Sequence, residues 1–181
     1  MNNAKQSSLI KTYRKEICFF VLFILLFFTL QTIHYILRPY VNPFVRQTML
    51  ANVSSKLINL ITPQEKTSSY RDYLSSGQFQ IKIALGCDGI EAMIILLSAI
   101  LAFPAGIKSK LYGITGGFFV LYVSNLLRIS GLYYILKYKP SLFNFMHILV
   151  GQTLIILIAF FYFIVWLNIQ MNSNGKKNSA A

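Results

Sequence analysis

The feature that most limits what this chain can fold into is the run Ile17–Leu37, about 20 residues without one charged side chain. Wound as a helix at 1.5 Å per residue, it is about 30 Å long, the thickness of a bilayer's hydrocarbon core. In lipid every backbone N–H and C=O needs an internal partner, so a helix is the form open to it. The apolar core is too long for a signal peptide, and no small-residue cleavage site follows, so an uncleaved transmembrane helix is expected. Three further stretches read the same way: Cys87–Phe103, Leu111–Arg128 and His147–Asn168. The first of these makes only about 25 Å of helix, slightly short for a bilayer. The expected fold class is all-α: a polytopic membrane helical bundle of about four transmembrane helices, plus an amphipathic extracytoplasmic helix.

Charge agrees with a membrane setting. Only 12% of the residues are charged, against about 25% in soluble domains. The net charge of +12, from 17 basic and 5 acidic side chains, would raise nucleic acid as a partner in a soluble protein. Here basic residues flank apolar runs, which fits anionic lipid headgroups instead. Membrane lipids are expected partners and nucleic acid is not.

Taken in order, residues 1–16 are a basic cytoplasmic N-terminus with Lys5, Lys11, Arg14 and Lys15. In the first span, Cys18 reads as inert apolar filler and His34 as an interfacial residue. Arg38-Pro39 and Pro43 are expected to end that helix. Phe44–Ile61 carries Val45, Met49, Val53, Leu57 and Ile61 at spacing four, an amphipathic helix stopped by Pro63. Thr62–Gly77 reads as a polar loop. Gln78–Leu85 alternates apolar and polar residues, a short strand or extended segment. Pro104, Gly106, Lys108 and Lys110 form a basic loop. In the third span Gly116, Gly117 and Ser124 leave room for close helix packing. Residues 129–146 read as a return to the last span. The domain reading is one membrane-embedded unit over 17–168, with 38–82 as its extracytoplasmic segment, and a polar cytoplasmic tail over 169–181 holding Lys176 and Lys177.

The chemistry gathers on IALGCDGIEA, Ile83–Ala92. With two cysteines in the chain, Cys87 belongs to no disulfide framework or multi-cysteine metal site. At the amino end of a membrane helix, the helix dipole would favour its thiolate. If the third span starts near Leu111, Arg128 lies about 26 Å along it, near the opposite face. Spans of alternating direction bring Cys87, Arg128 and His147 to one membrane surface. Singly, each has an ordinary reading: a structural cysteine, an arginine snorkelling to headgroups, a histidine anchoring a helix start. Asn125, three residues before Arg128 on the same helical face, points instead to a polar cavity, and Gly151 leaves space one turn after His147. Together they suit acyl transfer: a thiol nucleophile, a histidine moving its proton, and an arginine holding the oxyanion. Asp88 and Glu91 would raise the thiol's pKa, cap the following helix or orient Arg128; these alternatives stay open.

At these residues the chain resembles the exosortase/archaeosortase family of membrane-embedded cysteine transpeptidases. The resemblance rests on CDGIEA at Cys87–Ala92, NLLRIS at Asn125–Ser130 and His147 opening the last span, in that order. It implies Cys87 as nucleophile, Arg128 as transition-state stabiliser and His147 as acid/base, with no cofactor and no metal. It implies secreted substrates that carry a C-terminal sorting signal: a short motif, a transmembrane helix and a basic tail. Cleavage at the motif would be followed by transfer to a surface acceptor or to water. Typical members carry more spans before the cysteine, so this is a compact form.

The family places its site on the extracytoplasmic side of the cell membrane. Charge counting over the loops does not decide orientation, but Arg14 and Lys15 directly before the first span favour a cytoplasmic N-terminus. The competing reading is a non-enzymatic membrane subunit that scaffolds a secretion or envelope complex and tolerates loss of Cys87. A transporter would place charges at mid-membrane, where these spans have almost none. A zinc protease lacks its HExxH signature here.

Overall fold

The computed structural model describes residues 13–178 except 78 and 85, with side chains as far as Met171. Lys5 and Lys11, the side chains of Lys176 and Lys177, and the strand-flanking Gln78 and Leu85 lie outside the described residues. Three helices are long and apolar enough to cross a membrane: Arg14–Ile61, Ile107–Tyr138 and Phe145–Met171. A shorter apolar helix, Ile90–Ala102, completes an all-α membrane bundle. In chain order the elements are α1 (Arg14–Phe44), a π-helical stretch Val45–Ala51, and α2 (Asn52–Ile61). Strands β1 (Ser68–Tyr70), β2 (Tyr73–Ser76) and β3 (Phe79–Lys82) follow, then α3 (Ile90–Ala102), α4 (Ile107–Tyr138) and α5 (Gly151–Asn178), the last entered through a second π-helical stretch, Phe145–Val150.

Four boundaries differ from the sequence expectation. Pro39 and Pro43 do not end the first helix but lie inside it. Proline removes one hydrogen bond and crowds the preceding turn without forcing a stop. The wider π-helical turns directly after Phe44 take up the altered register. The amphipathic segment therefore continues α1, and its buried positions are Leu50, Ala51, Ser54, Ser55 and Ile58, while Ile61 is exposed. Spacing four drifts around a helix of 3.6 residues per turn, so the ends of the stripe leave the core. Helix α3 starts at Ile90, so Cys87 stands in the loop before it. Helix α4 runs ten residues beyond Arg128, to Tyr138, and the return is only the short stretch around Pro140–Leu142.

The segment read as a polar loop contains two strands. β1, β2 and β3 form an antiparallel sheet in that order, with Ser69 opposite Leu74 and Leu74 opposite Ile81. Of the alternation read in 78–85, the described residues show the part over 80–83: Ile81 and Ile83 are buried while Gln80 and Lys82 are exposed. Cys18 faces outward instead of filling the core.

These elements make two packed regions. At 32 residues, α4 is about 48 Å long, well beyond the hydrocarbon layer, so its last turns support a cap. There Leu126, Ile129, Leu132 and Tyr133 pack with Leu50, Ile58, Leu74, Ile81, Ile83 and Cys87. Burying each large aliphatic side chain away from water stabilises the cap by about 1.5–3 kcal/mol. The second region, within the bundle, joins Ala92, Leu96, Ile100, Leu121, Ile155, Ala159 and Trp166. Lipid offers no comparable hydrophobic gain, and close packing holds such helices together. Gly116 and Gly117 pack against Tyr162, and Gly117 also against Leu96. Cys87 belongs to the cap cluster, three residues before the bundle helix begins.

Candidate active site

The cysteine loop is shaped by two glycines. Gly86 and Gly89 have φ of 82° and 75°, the left-handed region where a Cβ is strained. Between them the chain turns sharply, and the Cys87 N–H donates to the Ala84 carbonyl at 3.1 Å. A side chain on Gly89 would also press on Asn125, whose atoms lie 3.3 Å from where its Cβ would be. That close approach lets Asn125 Nδ2 donate to the Cys87 carbonyl at 3.1 Å.

Asn125 is 1% exposed and works in two directions. Its Oδ1 accepts a hydrogen bond from Arg128 Nη1 at 3.2 Å, as their spacing on one helical face allows. The Arg128 Nη2 then lies 3.6 Å from Cys87 Sγ. From the far side, His147 Nε2 contacts the same sulfur at 2.5 Å. His147 sits in the π-helical entry to α5, and its ring stacks on Phe143 with centroids 5.4 Å apart. Thus Cys87, Arg128 and His147, from a loop and two helices, meet at one buried sulfur. The space beside Gly151 serves Arg128 instead of His147: a Cβ there would come within 2.7 Å of Arg128 Nε.

The carboxylates divide. Asp88 Oδ1 accepts from the Ile90 N–H at 3.4 Å, at the start of α3, and Oδ2 pairs with Arg46 Nε at 3.4 Å. It therefore engages the first N–H of the helix and Arg46, and leaves Arg128 to Asn125. Burial raises the Asp88 pKa and Glu91 adds to this, while the Ile90 N–H, Arg46 and His34 oppose it. Glu91 lines a small cleft with Gly86, Gly89, Ala92, Arg128 and Gln152 on the flank of the cysteine loop. Burial also pushes the Cys87 thiol above its ordinary range; Arg128 pulls it down and Asp88 pushes it up. With burial disfavouring the thiolate, an adjacent base is what would activate the thiol.

Arg46 and Gln152 also lie near this site, and Asn42 stands four residues before Arg46 on the same continuous helix. Arg46 and Asn42 lie on a different helix about forty residues upstream, and no local pattern links them to Cys87. His34, read as interfacial, makes a hydrogen bond of 3.0 Å with Asn42 Oδ1.

The long apolar helices thus carry, at the capped end of the bundle, a cluster of buried Cys87 and Arg128 with half-buried His147. The family described as transmembrane exosortase matches residues 12–165, most of the chain. This protein belongs to the transmembrane exosortase family. No curated protein and no solved structure matches it.

Proposed function

We propose that this chain is a cysteine peptidase or transpeptidase of the cell membrane. It would cut secreted proteins at a C-terminal sorting signal made of a short motif, a transmembrane helix and a basic tail. The observation that carries this reading is the contact of one sulfur with both His147 Nε2 and Arg128 Nη2. His147 takes the thiol proton as Sγ attacks the scissile carbonyl. The Arg128 guanidinium, permanently charged and aimed at the sulfur by Asn125, offers N–H donors to the oxyanion. Collapse breaks the C–N bond, and the leaving amine takes its proton from His147. A thioester on Cys87 remains, which a surface acceptor or water then attacks, giving its proton to His147. The site works at the extracytoplasmic face, with the N-terminus and tail in the cytoplasm and the cap, over 38–82, outside.

The test is cleavage of a co-expressed substrate bearing such a signal, with membrane abundance measured for every variant. Cys87→Ala, Arg128→Ala and His147→Ala should each lower cleavage by about a hundred-fold or more. Continued processing by Cys87→Ala at normal abundance would overturn the thiol mechanism and favour a scaffold.

A further inference from the structure

A second polar cavity is joined to Asp88 through Arg46. Arg38, Asn42, Pro43, Arg46, Gln47, Arg71 and Asp72 line a cavity of about 350 Å³. Three elements supply it: the proline-bearing end of α1, the π-helical stretch, and the β1–β2 turn. Asn42 is 2% exposed, and its Nδ2 has no hydrogen-bond partner among the described residues; nor has the buried Arg38 Nε. Both atoms are donors, so what they lack is an acceptor. The Asn42 Oδ1 is already committed to His34, which leaves the amide N–H₂ without an acceptor in the wall of the cavity.

The charge balance points the same way. Arg46 reaches Asp88 at 3.4 Å and Asp72 at 4.0 Å, and Lys82 reaches Asp72 at 3.9 Å. In the walls themselves three guanidiniums, of Arg38, Arg46 and Arg71, stand against the one carboxylate of Asp72, a positive excess. Guanidiniums converging from separate elements suit a tetrahedral oxyanion, whose oxygens point in several directions. Depth narrows the choice further. Arg38 is the first residue after the uncharged run Ile17–Leu37, which places the cavity where apolar helix gives way to the headgroup layer.

We infer that this cavity binds a phosphate group, carried by a lipid headgroup or by a soluble phosphate. The inference does not depend on the thiol chemistry. To test it, the full chain, purified in neutral detergent, is titrated with inorganic phosphate and separately with dihexanoyl phosphatidic acid. Ionic strength is fixed with chloride, and binding is followed by calorimetry. Saturable binding of either probe is expected. Binding of inorganic phosphate identifies a soluble anion as sufficient, and binding of the lipid alone identifies the headgroup. Arg71→Gly removes one guanidinium at a position with φ of 52°, where glycine is at ease, so the turn survives. It should weaken binding by about ten-fold, the loss of one charge-assisted contact. Arg38→Gln should do the same without touching the sheet. The inference fails if neither probe saturates, or if both variants bind as tightly as the parent. It also fails if an acidic peptide occupies the cavity while both phosphate probes are excluded.

Discussion

At the scale of single residues, Gly151 decides where the Arg128 guanidinium sits. A Cβ at Gly151 would lie 2.7 Å from Arg128 Nε and 3.0 Å from the Met146 carbonyl. The backbone cannot yield easily, so the guanidinium would move away from Cys87 Sγ. Gly151→Ala should therefore cut cleavage about ten-fold or more, a change of about 1.4 kcal/mol in the barrier, with abundance near normal. Unchanged cleavage would mean that the 3.6 Å approach of Arg128 to the sulfur has no part in the reaction. The thiol's own ionisation is a second test. Burial is the largest influence on Cys87 and raises its pKa above the ordinary 9.0. A Cys18→Ser background leaves one thiol, and its alkylation by a small neutral reagent should still be rising with pH above that value. An alkylation midpoint below neutrality would instead indicate a resting thiolate beside a charged His147, and His147 would then not act as base on the thiol. That Cys87, Arg128 and His147 come together was legible in the sequence because depth along a helix follows from counting. Arg46 was not, because its nearness to Asp88 is made by tertiary packing, and the contact of Asn42 with His34 depends on how α1 carries its prolines.

At the scale of elements, α1 shows why local rules read the fold only in part. Two prolines in five residues argue for a helix end, yet the helix carries them and continues through π-helical turns into α2. The contact between His34 and Asn42 explains what this continuity accomplishes. Eight residues of straight helix separate two Cα atoms by about 12 Å, more than these side chains comfortably bridge at 3.0 Å. Prolines are where a helix axis bends, and Pro39 lies between His34 and Asn42. Four residues after Asn42, Arg46 meets Asp88 of the cysteine loop. The sheet was half legible for a different reason. β3 alternates cleanly and was read as a strand or extended segment. β1 and β2 are Ser68-Ser69-Tyr70 and Tyr73-Leu74-Ser75-Ser76, nearly all polar, with Leu74 alone fully buried. One inward side chain gives no period to detect, and the strands exist because β3 and the hairpin turn pair them.

At the scale of the whole molecule, Glu65 ties the cap to the end of α4. Its side chain is 4% exposed. It accepts hydrogen bonds from Tyr133 Oη at 2.6 Å, from Lys137 Nζ at 2.6 Å and from Tyr138 Oη at 3.2 Å. Its backbone carbonyl accepts one from Ser76 Oγ on β2. One carboxylate thus fastens the segment between α2 and the sheet to the helix that bears Arg128. The hydrogen bonds from Lys137 and Tyr133 hold its pKa below the ordinary 4.5, against the opposing effect of burial. A carboxylate depressed in the folded state adds stability above its unfolded value, and that stability is lost as pH falls through the folded value. The cap should therefore lose thermal stability below about pH 4.5, a loss monitored by tyrosine fluorescence and by proteolysis of the segment between α2 and α3. Glu65→Gln keeps the shape but removes the charge that Lys137 pairs with. It should lower the cap's midpoint by several degrees at neutral pH and flatten its dependence on acid. Because the cap carries the cysteine loop while α4 carries Arg128, loosening this tie should also lower cleavage, and more steeply with temperature than in the parent. If Glu65→Gln melts with the parent's full acid dependence, the sensitivity resides in another carboxylate, and the buried Asp88 does not qualify. Its pKa is raised rather than lowered, so protonation there favours the folded state and would shift the curve the opposite way.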